Sequence, residues 1–295
     1  MTYQAFQDDV LSNISSLLPS EATISIHSVL KNNGLILDGL SIKEHDVNIA
    51  PTIYLNDLYR SYELGSSMDA ICTQIAETYE RFKLTKPLDI TFFTDYESAE
   101  KRIFYKLISA EKNREILEKI PHVPFLDMAI VFCCKAPIPD DANGTILINN
   151  DHTGLWGKTT KDLMTAAEKN TRVLFPPIIR HINDIIKEIN PALLLPSDAS
   201  FPMYVLTNEN MLFGASVILY QDYLQDLAEE FESDLIIIPS SIHEVILIKD
   251  RDISFTPDTL KELIHDVNYT EVSPAEVLSD TPYRYSREEK KITCL

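Results

Sequence analysis

Apolar residues are most concentrated between residues 203 and 249, where strand-like runs alternate with one helical stripe. Residues 203–207 and 214–220 are rich in Val, Leu, Ile and Tyr, which is typical of strands. The polar residues 208–210 separate the two runs, and two of them are asparagine, which tolerates the left-handed backbone angles of a turn. We therefore predict a hairpin whose loop is longer than two residues, with Gly214 opening the return strand.

A helix and two further strands are predicted to follow this hairpin. Apolar residues at i, i+3, i+4 and i+7 indicate an amphipathic helix with an acidic opposite face, namely Leu224, Leu227, Ala228 and Phe231. Residues 235–238 and 245–248 are continuous apolar runs suited to buried strands, and Pro239 cannot donate a ladder hydrogen bond, so it should end the first run. The predicted unit is strand-strand-helix-strand-strand, with the turn 239–244 at a sheet rim.

The remaining apolar patterns predict helices and strands along the whole chain. Helices are predicted over residues 4–18, 55–64, 66–82, 96–109, 114–120, 159–170 and 177–190, and after the caps Thr256-Pro257 and Ser273-Pro274. Strands are predicted over residues 22–29, 35–42, 124–134 and 144–148, and Asn33-Gly34 predicts a hairpin between the first two. The fold class is therefore predicted to be α+β, with antiparallel sheets flanked by helices and the C-terminal unit described above.

Composition narrows the class of protein. A chain of 295 residues can bury a substantial core in one or two domains. Its formal net charge of −19 opposes nonspecific binding to nucleic acid and to anionic membranes. The acidic N-terminal sequence is unlike a signal peptide, and no apolar run approaches the ~18 residues needed to span a bilayer. The four cysteines form no C-x-x-C pair and lack the density of a disulfide framework, which fits reduced thiols, so we expect a cytoplasmic protein.

Five stretches of the sequence carry a family resemblance, namely MYVLTNENMLFGA and LIIIPSSIHEVI, and upstream NIAPTIYLNDLYRSYELG, VPFLDMAIVF and LWGKTTKDLMTAAEKNTRVLFP. They resemble a bacterial domain-of-unknown-function family that occurs mostly in gut anaerobes. Because the resemblance covers most of the chain, it implies one family unit over residues 1–295, with a sub-division into α+β halves at 1–135 and 136–295 as the alternative. The resemblance implies no activity.

The polar cluster in the turn 239–244 is the strongest candidate for chemistry. Ser240, Ser241, His243 and Glu244 are the residue types of a Ser/His/carboxylate hydrolase. Neighbouring side chains in a strand point to opposite faces, so His243 and Glu244 would diverge unless a bulge intervened. No G-x-S-x-G elbow surrounds either serine. The alternative is that the serines bond the backbone of a turn and His243 bonds locally.

Other candidate residues are weaker. His152, Asn150 and Trp156 occur in or beside a polar loop that could contact a ligand, or that could be a turn anchored by a buried tryptophan. Asn208 is a second ligand-binding candidate or a turn residue. The seven histidines are scattered, and His243-Glu244 lacks the second histidine of H-E-x-x-H, so we predict no metal site and no cofactor.

The function class predicted from these observations is a cytoplasmic, non-enzymatic protein that binds a partner protein, a second copy of itself or a small ligand. A hydrolase that uses Ser240 or Ser241 with His243 and Glu244 is the alternative from a different class. A nucleic-acid-associated protein is disfavoured because the chain is strongly acidic and has no lysine or arginine cluster. No association with a membrane is expected.

Overall fold

The computed structural model describes residues 1–138, 144–190 and 202–295, and these form two compact units. The first unit comprises residues 1–31 and 35–91, and the second comprises residues 32–34 and the described residues from 92 onwards. Helices and antiparallel sheets occur in both units, so the predicted α+β class is confirmed. The units divide at Thr91 and Phe92, whereas the sequence-based sub-division was placed at 135/136.

The first unit is a three-stranded sheet covered by helices. Its strands are β1 (Thr23–Leu30), β2 (Ile36–Lys43) and β3 (Thr52–Tyr54), all antiparallel in the order β1-β2-β3. Asn33 and Gly34 both have left-handed φ values, 61° and 70°, so the predicted Asn-Gly hairpin between β1 and β2 is confirmed.

Three helices supply the rest of this unit, namely α1 (Tyr3–Ile14), α2 (Leu55–Glu63) and α3 (Met68–Phe82). The helical stripes bury their apolar residues against one face of the sheet, in a core that contains Phe6, Val10, Ile14, Leu40, Ile42, Ile71, Ile75 and Tyr79. Helix α3 occupies most of the predicted range 66–82, and Ser67 rather than Ser66 caps it by accepting the N–H of Ala70.

One sheet of the second unit consists of β4 (Ile103–Ser109), β5 (His122–Phe125), β6 (Met128–Lys135) and β7 (Thr145–Leu147). Strand β6 pairs with β4 along one side and with β5 and then β7 along the other. The helix predicted over 96–109 is wrong, because only α5 (Tyr96–Glu100) is helical and β4 follows it with both faces buried. The strand predicted over 124–134 is a hairpin, since the chain reverses at Leu126, whose φ is 56°.

The other sheet has six antiparallel strands in the order β13-β12-β10-β11-β9-β8. They are β8 (Pro177–His181), β9 (Met203–Asn208), β10 (Leu235–Pro239), β11 (Val245–Lys249), β12 (Tyr283–Ser286) and β13 (Lys291–Cys294). The helix predicted over 177–190 begins only at Ile182, because residues 177–181 pair with β9. Ser273-Pro274 opens turns rather than the predicted helix, since the N–H of Glu276 bonds the carbonyl of Ser273.

Helices pack on these sheets and join their strands. They are α4 (Thr91–Thr94), α6 (Arg114–Leu117), α7 (Asn150–Trp156), α8 (Thr160–Leu174), α9 (Ile182–Ile189), α10 (Gln221–Glu230) and α11 (Pro257–Thr270). The largest core contains residues of both sheets together with Leu163 of α8 and Leu224 and Leu227 of α10. Within the described part of the chain, no helix combines the length and the apolar character that a bilayer crossing requires.

The strand predicted over 214–220 is wrong, because Gly214–Leu219 is a 3-10 helix. Strand β9 pairs with β8 on one side and β11 on the other, so no position beside it remains for a return strand. The chain instead turns back on itself at Met211 and Phe213, whose φ values of 51° and 55° are left-handed. The predicted helix, here α10, and the two strands after it are present.

Replacing Ile237 with Ala should lower the free energy of unfolding by about 2–5 kcal/mol, because this side chain is fully buried in the largest core. Ile238 is its neighbour on β10 and is only half-buried on the opposite face, so Ile238→Ala should cost clearly less. Urea unfolding of both variants measures the difference. Equal losses would contradict the assignment of Ile237 to the main core.

Candidate functional site

The turn between β10 and β11 is held by hydrogen bonds within itself. The N–H of Ser241 donates to the carbonyl of Glu244 at 3.1 Å, and the Ser241 hydroxyl accepts the N–H of His243 at 3.0 Å. The Ser240 hydroxyl donates to the Glu244 carboxylate at 3.5 Å. The turn therefore lies at the predicted sheet rim, and its serines bond groups of the turn itself.

Each ring nitrogen of His243 faces a polar group. Nδ1 accepts the N–H of Phe213 at 3.2 Å, and Nε2 lies 3.6 Å from the Glu276 carboxylate. This arrangement favours the neutral ring with its proton on Nε2. Burial lowers the pKa of His243, the Glu276 carboxylate partly opposes this effect, and the Lys106 ammonium reinforces it. The ring also stacks on Phe213, with centroids 5.7 Å apart.

The predicted Ser/His/Glu hydrolase arrangement is not assembled in this turn. Neither Ser240 nor Ser241 bonds a ring nitrogen of His243, and the nearest carboxylate is that of Glu276 rather than Glu244. A nucleophile needs a base within hydrogen-bond reach, and that contact is missing here. The sequence could not reveal Glu276, because only tertiary structure brings it to His243.

Asn208 stabilises the loop that follows β9. Its Oδ1 accepts the N–H groups of Asn210 and Leu212 at 3.0 and 3.3 Å, and its Nδ2 donates to the carbonyl of Leu212 at 2.8 Å. The loop then packs tightly at Gly214, where an added Cβ would lie 2.1 Å from the Thr207 hydroxyl oxygen. The geometry thus favours the turn role of Asn208 over a ligand contact.

The second predicted loop is the N-terminus of α7. His152 and Asn149 form a reciprocal capping box, and burial lowers the pKa of His152. The Trp156 indole N–H donates to the carbonyl of Phe93 at 3.0 Å, and the Asn150 side chain donates to the carbonyl of Glu118 at 3.3 Å. These residues come together, but their polar groups are engaged in packing and capping contacts.

A groove of about 510 Å³ in the first unit differs from these two regions, because not all of its polar groups are engaged in contacts of the fold. It lies between one face of α1 and the β1–β2 hairpin, and it is lined by Tyr3, Gln4, Gln7, Asp8, Leu11, Ile26, Ser28 and Asp38. Asp38 of β2 accepts the Ser28 hydroxyl at 2.7 Å and the Gln7 amide at 3.1 Å. The remaining lone pairs of the Asp38 carboxylate are available to a ligand.

Tyr3 is the residue of this groove that the fold leaves unsatisfied. Its hydroxyl oxygen is buried and makes no hydrogen bond of full geometry among the described residues, although Asp38 and Gln7 lie close enough to influence its pKa. Burial, together with the Asp38 carboxylate, raises the pKa of Tyr3 to about 12. The hydroxyl is therefore neutral at neutral pH and can both donate and accept a hydrogen bond. A buried polar group without a partner costs about 1–3 kcal/mol, which a suitable ligand would recover.

The sequence contained no direct signal for this groove. The apolar stripe of α1 and the hairpin at Asn33-Gly34 were both predicted, but Tyr3 and Asp38 are far apart in the chain. Only the packing of α1 on the sheet brings them together. An aspartate within an apolar strand next to a glycine was the one unusual feature at Asp38.

Two further features of the described residues offer less chemistry. A groove of about 790 Å³ lies beside Glu21, Thr23, Lys43, Glu44 and His45, but Glu44 already accepts the Tyr79 hydroxyl and approaches Lys83. In the described residues, no group of three or more His, Cys, Asp and Glu side chains is placed to hold a metal ion.

Comparison with known proteins identifies the family of this chain but no function. A family model described as a family of unknown function, DUF5688, matches residues 3–287. The predicted resemblance to a domain-of-unknown-function family is thereby confirmed, while its occurrence in gut anaerobes stays a prediction. No curated protein and no solved structure matches the chain.

Stability should fall as the pH drops below about 6.5, the ordinary pKa of histidine, in part because of His243. Burial lowers its pKa in the folded chain, so just below that pH the unfolded chain binds more protons and acid favours unfolding. His243→Gln should therefore reduce the loss in urea-unfolding midpoint between about pH 7 and about pH 5. His152→Gln makes the same test for His152, whose pKa is also lowered by partial burial. An unchanged pH slope in His243→Gln would mean that His243 titrates normally.

Proposed function

We propose that this chain, which belongs to DUF5688, is a binding protein whose first unit accepts a cationic group in the groove between α1 and the β1–β2 hairpin. The observation that carries the proposal is the buried hydroxyl of Tyr3, which lies beside the Asp38 carboxylate without a hydrogen bond of full geometry. A polar atom buried without a partner marks a position where the fold alone is incomplete. The four unpaired cysteines fit the cytoplasmic location that we also propose.

The charges of the groove support a cation rather than an anion. Asp8 and Asp38 line it, no lysine or arginine is among its lining residues, and the whole chain carries a net charge of −19. An ammonium group offers three donors and no acceptor. Asp38, Asp8 and the Tyr3 hydroxyl supply acceptors for such a group, and a charge-assisted hydrogen bond is stronger than a neutral one.

The apolar side chains of the groove favour a ligand whose cationic group is carried on an alkyl chain. Leu11 and Ile26 line it, and they would cover the methylene stem of a lysine-like group. The ring of Tyr3 is held in place by Tyr59, with centroids 5.0 Å apart at 62°, and by Phe6 at 6.4 Å. Because its ring is fixed, the hydroxyl of Tyr3 would bind a ligand with little loss of side-chain entropy.

Hydrolysis at the turn 239–244 has no comparable support. Nδ1 of His243 accepts the N–H of Phe213, Nε2 lies 3.6 Å from the Glu276 carboxylate, and both serines bond within the turn. A general base needs a free ring nitrogen near the proton that it removes. Nucleic acid is likewise a poor match to a groove lined by two aspartates.

The full chain should bind Nα-acetyl-lysine amide and not its neutral analogue Nα-acetyl-norleucine amide. Asp8→Asn should weaken binding of the lysine derivative about three- to tenfold, because it removes one acceptor charge at the groove. Asp9→Asn is the matched control, since it removes the same charge from the next residue, which does not line the groove. Amide chemical-shift titration measures both. Equal binding of the two derivatives, or equal effects of the two variants, would overturn the proposal.

The Tyr3→Phe variant should affect ligand binding without lowering the stability of the fold. Removing a buried hydroxyl that has no partner should leave the free energy of unfolding unchanged or raise it by about 1 kcal/mol. Binding of Nα-acetyl-lysine amide should weaken. Tyr59→Phe is the control, because it removes a hydroxyl that donates to the carbonyl of Met1 and should lower stability slightly without affecting binding. If Tyr3→Phe destabilises the chain and binding persists, the hydroxyl serves only the fold.

A further inference from the structure

Strand β1 is an edge strand with an open side. In the described residues it pairs only with β2, along an uninterrupted register from Thr23 opposite Lys43 to Leu30 opposite Ile36. At eight residues it is longer than β3, the three-residue strand at the other edge of the same sheet. A long, regular strand edge is a template for pairing with another chain.

The direction of the backbone groups of β1 follows from one hydrogen bond at its end. The N–H of Lys31 donates to the carbonyl of Leu35 at 2.7 Å, and these residues are opposite each other when the register is extended by one step. Hydrogen-bonded pairs alternate along an antiparallel ladder, so the odd-numbered residues of β1 bond β2. The outward N–H and C=O groups are those of Ile24, Ile26, Ser28 and Leu30.

Nothing in the sequence of β1 protects this edge. The strand reads TISIHSVL and contains no lysine, arginine, acid or proline, the residues that usually block edge pairing. Strand β4 shows the contrast, because Thr171 and Ser216 hydroxyls accept the outward N–H groups of Tyr105 and Leu107. No described side chain does the same for β1.

The groove runs beside this open edge. Ile26 and Ser28 belong to the outward-bonding residues of β1, and their side chains line the groove opposite α1. Side chains of an added strand alternate between the two faces of a sheet. Every second side chain of a strand paired with β1 would therefore lie on the α1 side, near Gln4 and Asp8.

We infer that the cationic group bound in the groove is a side chain of an extended basic segment of another protein, which adds to β1 as an additional strand. This inference rests on the proposed function. Main-chain hydrogen bonds to Ile24, Ile26, Ser28 and Leu30 supply affinity, and Asp8, Asp38 and Tyr3 select lysine or arginine at alternate positions. A second copy of this chain fits less well, because its net charge is −19.

Hydrogen exchange on the full chain tests the pairing directly. The probe is acetyl-Thr-Lys-Thr-Lys-Thr-Lys-Thr-amide, in which β-branched residues alternate with lysine. Amide protons of Ile24, Ile26 and Ser28 should exchange rapidly in the free protein and at least about tenfold more slowly with saturating peptide. Those of Ser25 and Val29, which bond β2, should be protected with and without peptide. Unchanged exchange at the outward amides of the complex would overturn the inference.

The order of residues in the probe separates strand addition from simple charge attraction. Acetyl-Lys-Lys-Lys-Thr-Thr-Thr-Thr-amide has the same composition and charge but no alternation, and it should bind at least about tenfold more weakly. If both peptides bind equally and both are weakened by Asp8→Asn, the cation site stands and strand addition is wrong. If Asp8→Asn and Asp9→Asn have equal effects, the cation site itself is wrong.

Methylation of the peptide nitrogens provides a second readout. In a strand, the N–H groups of alternate residues point to opposite edges, so only one alternate set can bond β1. One peptide is N-methylated at its lysines and another at its internal threonines. The two should lose binding affinity to different extents, and the set whose methylation weakens binding more shows whether the added strand runs parallel or antiparallel to β1. Equal effects would overturn strand addition. Protection of the outward β1 amides in the free protein, together with dimerisation in sedimentation, would show a second copy at the edge instead.

Discussion

The hydrogen-bonding requirement of strand backbone is the constraint on which this structure depends. Each buried N–H and C=O group needs a partner, and most strands of the second unit find theirs in neighbouring strands. Strand β9 is paired on both sides, which leaves residues 214–219 to form a 3-10 helix instead of a return strand. At the edge strand β4, hydroxyls of Thr171 and Ser216 take the place of a neighbouring strand.

The same requirement distinguishes the two polar regions that could carry function. Around the turn 239–244 the serines bond within the turn, and His243 lies between Phe213 and Glu276. Such a satisfied network stabilises a single conformation of a sheet rim. In the groove beside α1, by contrast, Tyr3 has a buried hydroxyl without a partner, and β1 has an open row of backbone groups. Two incompletely hydrogen-bonded features of the first unit, the Tyr3 hydroxyl and the outer edge of β1, therefore lie beside the same groove.

Charge explains why these groups would select a basic ligand. The excess of acids over bases is a property of the whole chain, and long-range attraction of a cation follows from it without any particular contact. Selectivity at short range needs fixed acceptors, which Asp38 supplies because Ser28 and Gln7 hold its carboxylate in place. Long-range attraction of the cation would thus come from the net charge of the chain. Tyr3, Asp8 and Asp38, which packing brings together, would orient the bound group.

Interactions between residues close together in the chain determined which features the sequence by itself could predict. The Asn33-Gly34 turn, the helix capped at Thr159, the turn after Pro239 and the α+β class all depend on interactions within a few residues, and the structure contains each of them. The strands at 103–109 and 177–181 depended on distant partners in β6 and β9, so their apolar residues were compatible with helix until those partners were known. The same distinction applies to the candidate sites. Ser240, Ser241 and His243 are neighbours in the sequence, whereas Glu276 beside His243 and Asp38 beside Tyr3 come from distant segments of the chain. Only tertiary packing decides which polar groups remain without a partner, since that property belongs to the completed hydrogen-bond network and not to any one segment.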